Sequence, residues 1–208
     1  MRLLLMRHGD NNSLHQGILP GRIPGVHLNE NGRAEVERMA ELFREVPLAA
    51  VYASPLERTM ETAEIMIRGR NLSVNPEDAF LENDLKEWEG KSFKELVQLQ
   101  EWKAFCEDPY TAPNDWAETP QKLQERAVDA VERLLAAHEE DAAVMVVSHG
   151  DVIRAVLCHY LDMRLTSLRK LTINTASISV ISFNRETSRV DCVNATAGLD
   201  WLIARRSD

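Results

Sequence analysis

The sequence has no long apolar run. Its first apolar stretch, residues 3–6, ends at Arg7, and no later stretch reaches the roughly 20 residues that a membrane-spanning helix needs. Neither a membrane span nor a signal peptide is expected, and a cytoplasmic location is. Paired cysteines are lacking too. The three present, Cys106, Cys158 and Cys192, form no CxxC motif, and an odd number makes a poor disulfide framework, so reduced thiols are expected. Nor is there an excess of positive charge: 24 Lys and Arg face 33 Asp and Glu, for a net charge of −9. Such a chain repels nucleic acid and anionic membrane surfaces, so neither is expected as a partner. It would repel a phosphorylated substrate as well, so any phosphate site must bring its own local cations. No internal repeat or low-complexity linker divides the chain. What is present is 208 residues with 44% hydrophobic content, enough for one domain around one core.

The pattern alternates short apolar runs with helical spacing. Residues 3–6 read as a strand buried on both faces, and residues 10–26, rich in Asn, Gly and Pro, as a long loop. Asn29 is placed to cap a helix carrying Val36, Met39, Ala40 and Phe43. A strand over 49–53 leads to Ser54 and Pro55, which read as the cap and first position of a helix to about Met66. Residues 72–74 form a weak strand and 75–91 are irregular. Ser92 caps a helix to about Glu107, 108–118 is loop, and Thr119-Pro120 opens a helix to about Ala137. The strand at 142–147 is the most apolar of all, and a helix over 151–160 follows. Residues 175–183 and 190–195, joined by a turn at 185–188, suggest an antiparallel hairpin at the sheet edge. The alternation predicts a three-layer α/β/α sandwich whose sheet is mostly parallel with an antiparallel edge. One domain over 1–208 is expected, with a small lid or insertion around 75–118.

In such sheets ligands bind beyond the carboxyl ends of the strands. Arg7-His8-Gly9 follows the first strand, Ser54 to Arg58 the second, and Ser148-His149-Gly150 the strand at 142–147. Two histidines and two arginines therefore converge where a ligand should sit. This set suits phosphoryl transfer. Arginine matches phosphate oxygens with paired donors. A neutral imidazole can attack phosphorus and split the reaction into two steps. Gly9 and Gly150 would let backbone approach the anion, and the helix after Gly150 would add its N-terminal amides. Glu82, in an irregular segment with apolar neighbours, is the candidate acid for the leaving oxygen.

With these residues in hand, the chain resembles the histidine phosphatase superfamily, also called the phosphoglycerate mutase-like family, in its small-domain branch. The stretches LLLMRHGDN, HLNENGRAEVERMAELF, VYASPLERTMETAEI, FLENDLKEWEGKSFKEL, ETPQKLQERAVDAV and VMVVSHGDVIRAVL occur in the family's order. The resemblance implies that His8 is the phosphorylated histidine, that Arg7, Arg58 and His149 form the phosphate pocket, and that Glu82 donates the proton. It implies no metal and no cofactor. Asp10 and Asn11 replace the family's usual Glu and Thr or Ser, and Asn11 could still donate to a phosphate oxygen. Leu14 stands where an Asn is usual, Lys86 where a Gly is usual, and Trp116-Ala117-Glu118-Thr119 where Gly-Gly-Glu-Ser is usual. These departures bear on the substrate rather than on the chemistry. The expected activity is a metal-independent phosphatase acting on a small phosphorylated metabolite. The alternatives are a phosphoglycerate mutase-type transferase, a sugar bisphosphatase, and a weakly active phospho-ligand binding module. His15 and His27 flank the long loop without a ligand-like cluster, and Trp88, Trp102 and Trp116 are expected to pack in the lid.

Overall fold

The computed structural model describes residues 1–107, 117–184 and 187–198. Trp116, most of the expected loop at 108–118 and part of the turn at 185–188 lie outside these residues. Strand β1 (Arg2–Arg7) leads through helix α1 (Asn12–Gln16) to α2 (Glu30–Leu42), β2 (Ala50–Ala53), α3 (Glu57–Met66) and β3 (Val74–Pro76). Two 3-10 turns, Asp78–Phe80 and Lys86–Trp88, precede the short helices α4 (Phe93–Leu96) and α5 (Gln100–Glu107). Helix α6 (Pro120–Ala137), β4 (Ala143–Ser148) and α7 (Gly150–Tyr160) come next. A 3-10 turn, Leu165–Lys170, then leads to β5 (Ile178–Phe183) and β6 (Ser188–Ala195).

The six strands form one sheet in the order β3-β2-β4-β1-β5-β6. The first four run parallel, while β5 and β6 are antiparallel to their neighbours. Successive strand side chains point to opposite faces, and β1 divides accordingly. Leu3 and Leu5 join Val144 and Val146 under Leu123, Ala127 and Val131 of α6 and Ile153 and Leu157 of α7. Leu4 and Met6 join Val51, Met145 and Val147 under Val36 and Met39 of α2 and Ala63 and Met66 of α3. Helices thus cover both faces of a mostly parallel sheet, giving the three-layer α/β/α architecture. Among the described residues, no helix is long and apolar enough to cross a membrane.

Several local features follow their sequence signals. Asn29 accepts the Gly32 amide at 2.7 Å, capping α2. Thr119 caps α6 with Pro120 in its first turn. Ser92 and Glu95 form a reciprocal capping box.

Other features differ from expectation. Helix α3 begins at Glu57 with Leu56 at its cap, because the Ser54 hydroxyl is engaged elsewhere. The long loop contains α1. The edge strand lies at 74–76 rather than 72–74, with Pro76 on the sheet edge, where a missing N–H is tolerated. The helix expected from Ser92 to Glu107 is broken at 97–99. At 3.6 residues per turn, a continuous helix would put Leu96 and Phe105 on opposite faces. The break lets both pack with Leu85 and Trp88 in a separate apolar cluster, joined by Trp102.

Candidate active site

Strands β1 and β4 pair in register, Arg7 opposite Ser148, so the next residues, His8 and His149, emerge side by side. The His8 amide bonds the Ser148 carbonyl at 3.0 Å. The two rings sit with centroids 5.3 Å apart at 62°. Both side chains are buried. Strand β2 lies on the other side of β4 and delivers Ser54, whose Oγ accepts from His149 Nε2 at 2.8 Å. One turn into α3, Arg58 is fully buried. Its Nη2 donates to Gly21 O at 2.8 Å and lies 3.3 Å from His149 Nδ1. Arg7 reaches back from the end of β1 to donate from Nη1 to Ile173 O at 2.7 Å.

His8 Nδ1–H donates to Gly9 O at 2.7 Å, which leaves Nε2 with its lone pair free. Burial, then Arg58 and Arg7, hold the His8 pKa well below the usual imidazole range. His149 is lowered in the same way, by burial, Arg58 and the other cations nearby. Both rings are therefore neutral at pH 7. The guanidiniums pay for this arrangement: burial works against both charges, and Arg154 adds repulsion at Arg7. Arg7 Nε, Arg58 Nε and Arg58 Nη1 are buried without a hydrogen-bond partner among the described residues. Buried unpaired donors are costly and rare. Three of them on two cations leave donors that an anion could satisfy.

Glu82 Oε2 lies 3.9 Å from His149 Nδ1, and 19% of its side chain is exposed. Burial, reinforced by the negative charge of Asp151, pushes its carboxyl up to about 7, against the pull of the Asn83 amide, Arg58 and Arg7. The segment leading to Glu82 is fixed from below, where Ser148 Oγ donates to Phe80 O at 2.8 Å.

The profile of the histidine phosphatase superfamily, branch 1, matches residues 3–196. The chain belongs to this superfamily. It is 26% identical over 205 residues to phosphoserine phosphatase 1 of Hydrogenobacter thermophilus, covering 96% of this chain and 94% of that one. It is equally similar, 26% over 199 residues, to the adenosylcobalamin/alpha-ribazole phosphatase of Salmonella typhimurium, covering 95% and 98%. The solved structure of Bacillus stearothermophilus YhfR superposes with a TM-score of 0.87 at 28% identity, covering 94% of this chain and 98% of that one.

Within this superfamily fold, His8, Arg7, Arg58, His149 and Glu82 converge, and Gly150 lies beside them. A Cβ on Gly150 would meet Arg7 Nε at 3.6 Å, an ordinary contact, and the movable end of Arg154, Nη1, at 3.1 Å. Gly9 differs from expectation. Its amide donates to Thr62 Oγ1 at 3.1 Å, and its carbonyl is occupied by His8. The space a Cβ would need is filled by Gly32 O at 2.6 Å and Val36 Cγ2 at 2.9 Å. Gly9 therefore sets the His8 tautomer and the approach of α2, and its amide is not free for an anion. Asn11 is buried and bridges to Leu28, its amide bonded to Asp10 Oδ1 at 2.8 Å.

Asp10 is a strut. Its carboxylate accepts from His15 at 2.6 Å, Asn29 at 3.1 Å and Asn31 at 3.2 Å. Burial pushes its pKa up, but these bonds outweigh it and hold the carboxyl low. His15 is thus tied to Asp10 and His27 to Glu61, away from the paired imidazoles. Lys86 takes a φ of 49°, the left-handed region that glycine favours, which accounts for the family's usual Gly at this position. Sequence reasoning missed Ser54, Thr62, Ser148 and Asp151. Ser54 and Ser148 do carry a legible signal, since Ser54 directly follows β2 and Ser148 ends β4 at the site.

Proposed function

We propose that the protein is a metal-independent phosphatase acting on a small phosphomonoester through a phosphohistidine intermediate. The observation that carries this reading is the neutral His8, its Nδ1 committed to Gly9 O, beside three guanidinium donors that have no partner among the described residues. Arg7, Arg58 and His149 hold the phosphoryl oxygens, with Gly150 and Asn11 as the remaining members of the phosphate site. The Nε2 lone pair of His8 attacks phosphorus in line, and the ester P–O bond breaks. The departing oxygen takes the proton of Glu82, whose carboxyl, pushed up to about 7, keeps a substantial protonated share near neutral pH. Water then attacks phosphohistidine while ionised Glu82 accepts its proton. The N–P bond breaks, its electron pair returns to Nε2, and inorganic phosphate leaves.

The names of the two relatives, phosphoserine phosphatase and alpha-ribazole phosphatase, support hydrolysis of a small phosphorylated metabolite. Because they differ in substrate at equal identity, identity alone does not select one for this chain. The short segment at 75–118 favours water over a second alcohol as acceptor. His8→Ala is expected to abolish turnover of p-nitrophenyl phosphate and the trapping of an acid-labile phosphoryl group during turnover. Retained turnover in that variant would sink the mechanism. Activity should also persist in EDTA; loss restored by added divalent metal would point to another class of enzyme.

A further inference from the structure

The main chain at Glu82 is gripped by two cations. Its carbonyl oxygen accepts from Arg22 Nε at 2.7 Å and from Arg126 Nη2 at 3.2 Å. Arg126 also donates to Ala79 O at 2.7 Å. It makes a forked pair with Glu118, Nε to Oε1 at 2.6 Å and Nη2 to Oε2 at 2.8 Å. Glu118 Oε2 further accepts from Arg22 Nη2 and from the Asp84 amide, each at 3.2 Å. The Glu118 amide returns a bond to Asp84 O at 2.7 Å. These side chains are mostly buried: Arg22 is 27% exposed, Arg126 21% and Glu118 13%. Charge-assisted, forked bonds of this kind fix geometry as well as adding energy.

The residue before Arg22 touches the other half of the site. Gly21 O accepts from Arg58 Nη2 at 2.8 Å. Gly21 has a φ of +46°, and a Cβ there would meet the Glu89 carboxyl Cδ at 2.4 Å, so a larger residue would strain the backbone and displace the Glu89 side chain. Two consecutive residues of the long loop thus bond the phosphate-side arginine and the carbonyl of the acid.

We propose that Arg22 is a positioning residue that holds the Glu82 carboxyl at the distance from the phosphoryl pocket that proton donation requires, with the Arg126–Glu118 pair as its brace. This rests on the reading of Glu82 as the acid. Proton donation matters for an alkoxide, which leaves poorly, and hardly at all for nitrophenolate, which leaves unprotonated. Mispositioning the acid therefore costs rate with one ester and spares the other, whereas general damage to the fold or the phosphate pocket harms both.

The test compares kcat/KM of the full chain for glycerol 2-phosphate and p-nitrophenyl phosphate, together with inhibition by inorganic phosphate. Arg22→Ala is expected to lower kcat/KM for glycerol phosphate by about 10- to 100-fold, with nitrophenyl phosphate and the phosphate Ki within about 3-fold. In a Glu82→Gln background it should cause no further loss. If the alanine variant does not fold, Arg22→Lys serves, with the same direction and a smaller loss. Equal losses on both esters, a weakened phosphate Ki, or additive losses in the double variant would overturn the role of Arg22 while Glu82→Gln remains ester-selective. If Glu82→Gln itself does not separate the two esters, the acid assignment falls and takes this inference with it.

Discussion

Glu82 meets two opposed demands. Burial and Asp151 keep its proton on to about pH 7, which suits an acid, but a folded carboxyl that binds its proton too well is a liability once ionised. The folded state holds the proton more tightly than the unfolded chain. The contribution of Glu82 to stability is therefore most favourable below about pH 4.5 and declines as pH rises through about 7. Glu82→Gln removes that decline, so the variant should gain stability over the wild type at pH 8 relative to pH 4.5. The ceiling is about 3 kcal/mol, read from urea melts at the two pH values. An unchanged difference between the two proteins would refute it. The same proton governs rate: kcat/KM for an alkyl phosphate should fall above about pH 7 relative to kcat/KM for nitrophenyl phosphate. At this scale the convergence of His8, Arg7, Arg58 and His149 was legible because Arg7, His8 and His149 stand at the ends of β1 and β4 and Arg58 in the first turn of the helix after β2, on the side of such a sheet where ligands bind. The role of Gly9 was not, since its crowding comes from α2, brought there by the chain's path rather than by its neighbours in sequence.

Among the elements, the junction of α2 with the segment after β1 is a tight one. A Cβ on Gly32 would lie 2.1 Å from Asp10 O and 2.5 Å from Asp10 N, and backbone atoms cannot step aside as a flexible side chain can. Replacing a helical glycine with alanine ordinarily stabilises by about 1 kcal/mol. Here the sign should reverse: Gly32→Ala is expected to destabilise by about 1–3 kcal/mol and to lower the melting temperature. A gain in stability would show that the contact yields. Helix starts were legible where a side-chain cap is local, as at Asn29, Ser92 and Thr119. The break at 97–99 was not, because it answers to Trp88, a partner outside the helix. The start of α3 was misplaced because the Ser54 hydroxyl bonds His149, 95 residues away in sequence.

For the molecule as a whole, a net charge of −9 surrounds a pocket in which three buried donors of Arg7 and Arg58 have no hydrogen-bond partner among the described residues. An anion bound there satisfies buried donors that folding left unpaired, and binding to the native state alone stabilises it. Inorganic phosphate at about 100 times its Kd should add about 2.7 kcal/mol to the unfolding free energy. Arg58→Gln should reduce that gain sharply, and an equal rise in melting temperature in both proteins would show that phosphate acts elsewhere. The layered architecture was legible from the alternation of elements. The joining of distant loops was not, since no local pattern encodes it. Leu19 bonds Lys91 O at 2.9 Å, Gly90 bonds Leu19 O at 2.7 Å, Phe93 bonds Gly17 O at 2.8 Å, and Ile18 bridges to Ser92. These two stretches zip together by main-chain bonds, which do not depend on side-chain identity, above a sheet that delivers the histidines separately. For engineering, they form one cassette: grafting 17–23 together with 82–93 from another superfamily member keeps the zipper intact, whereas grafting either half alone splits it.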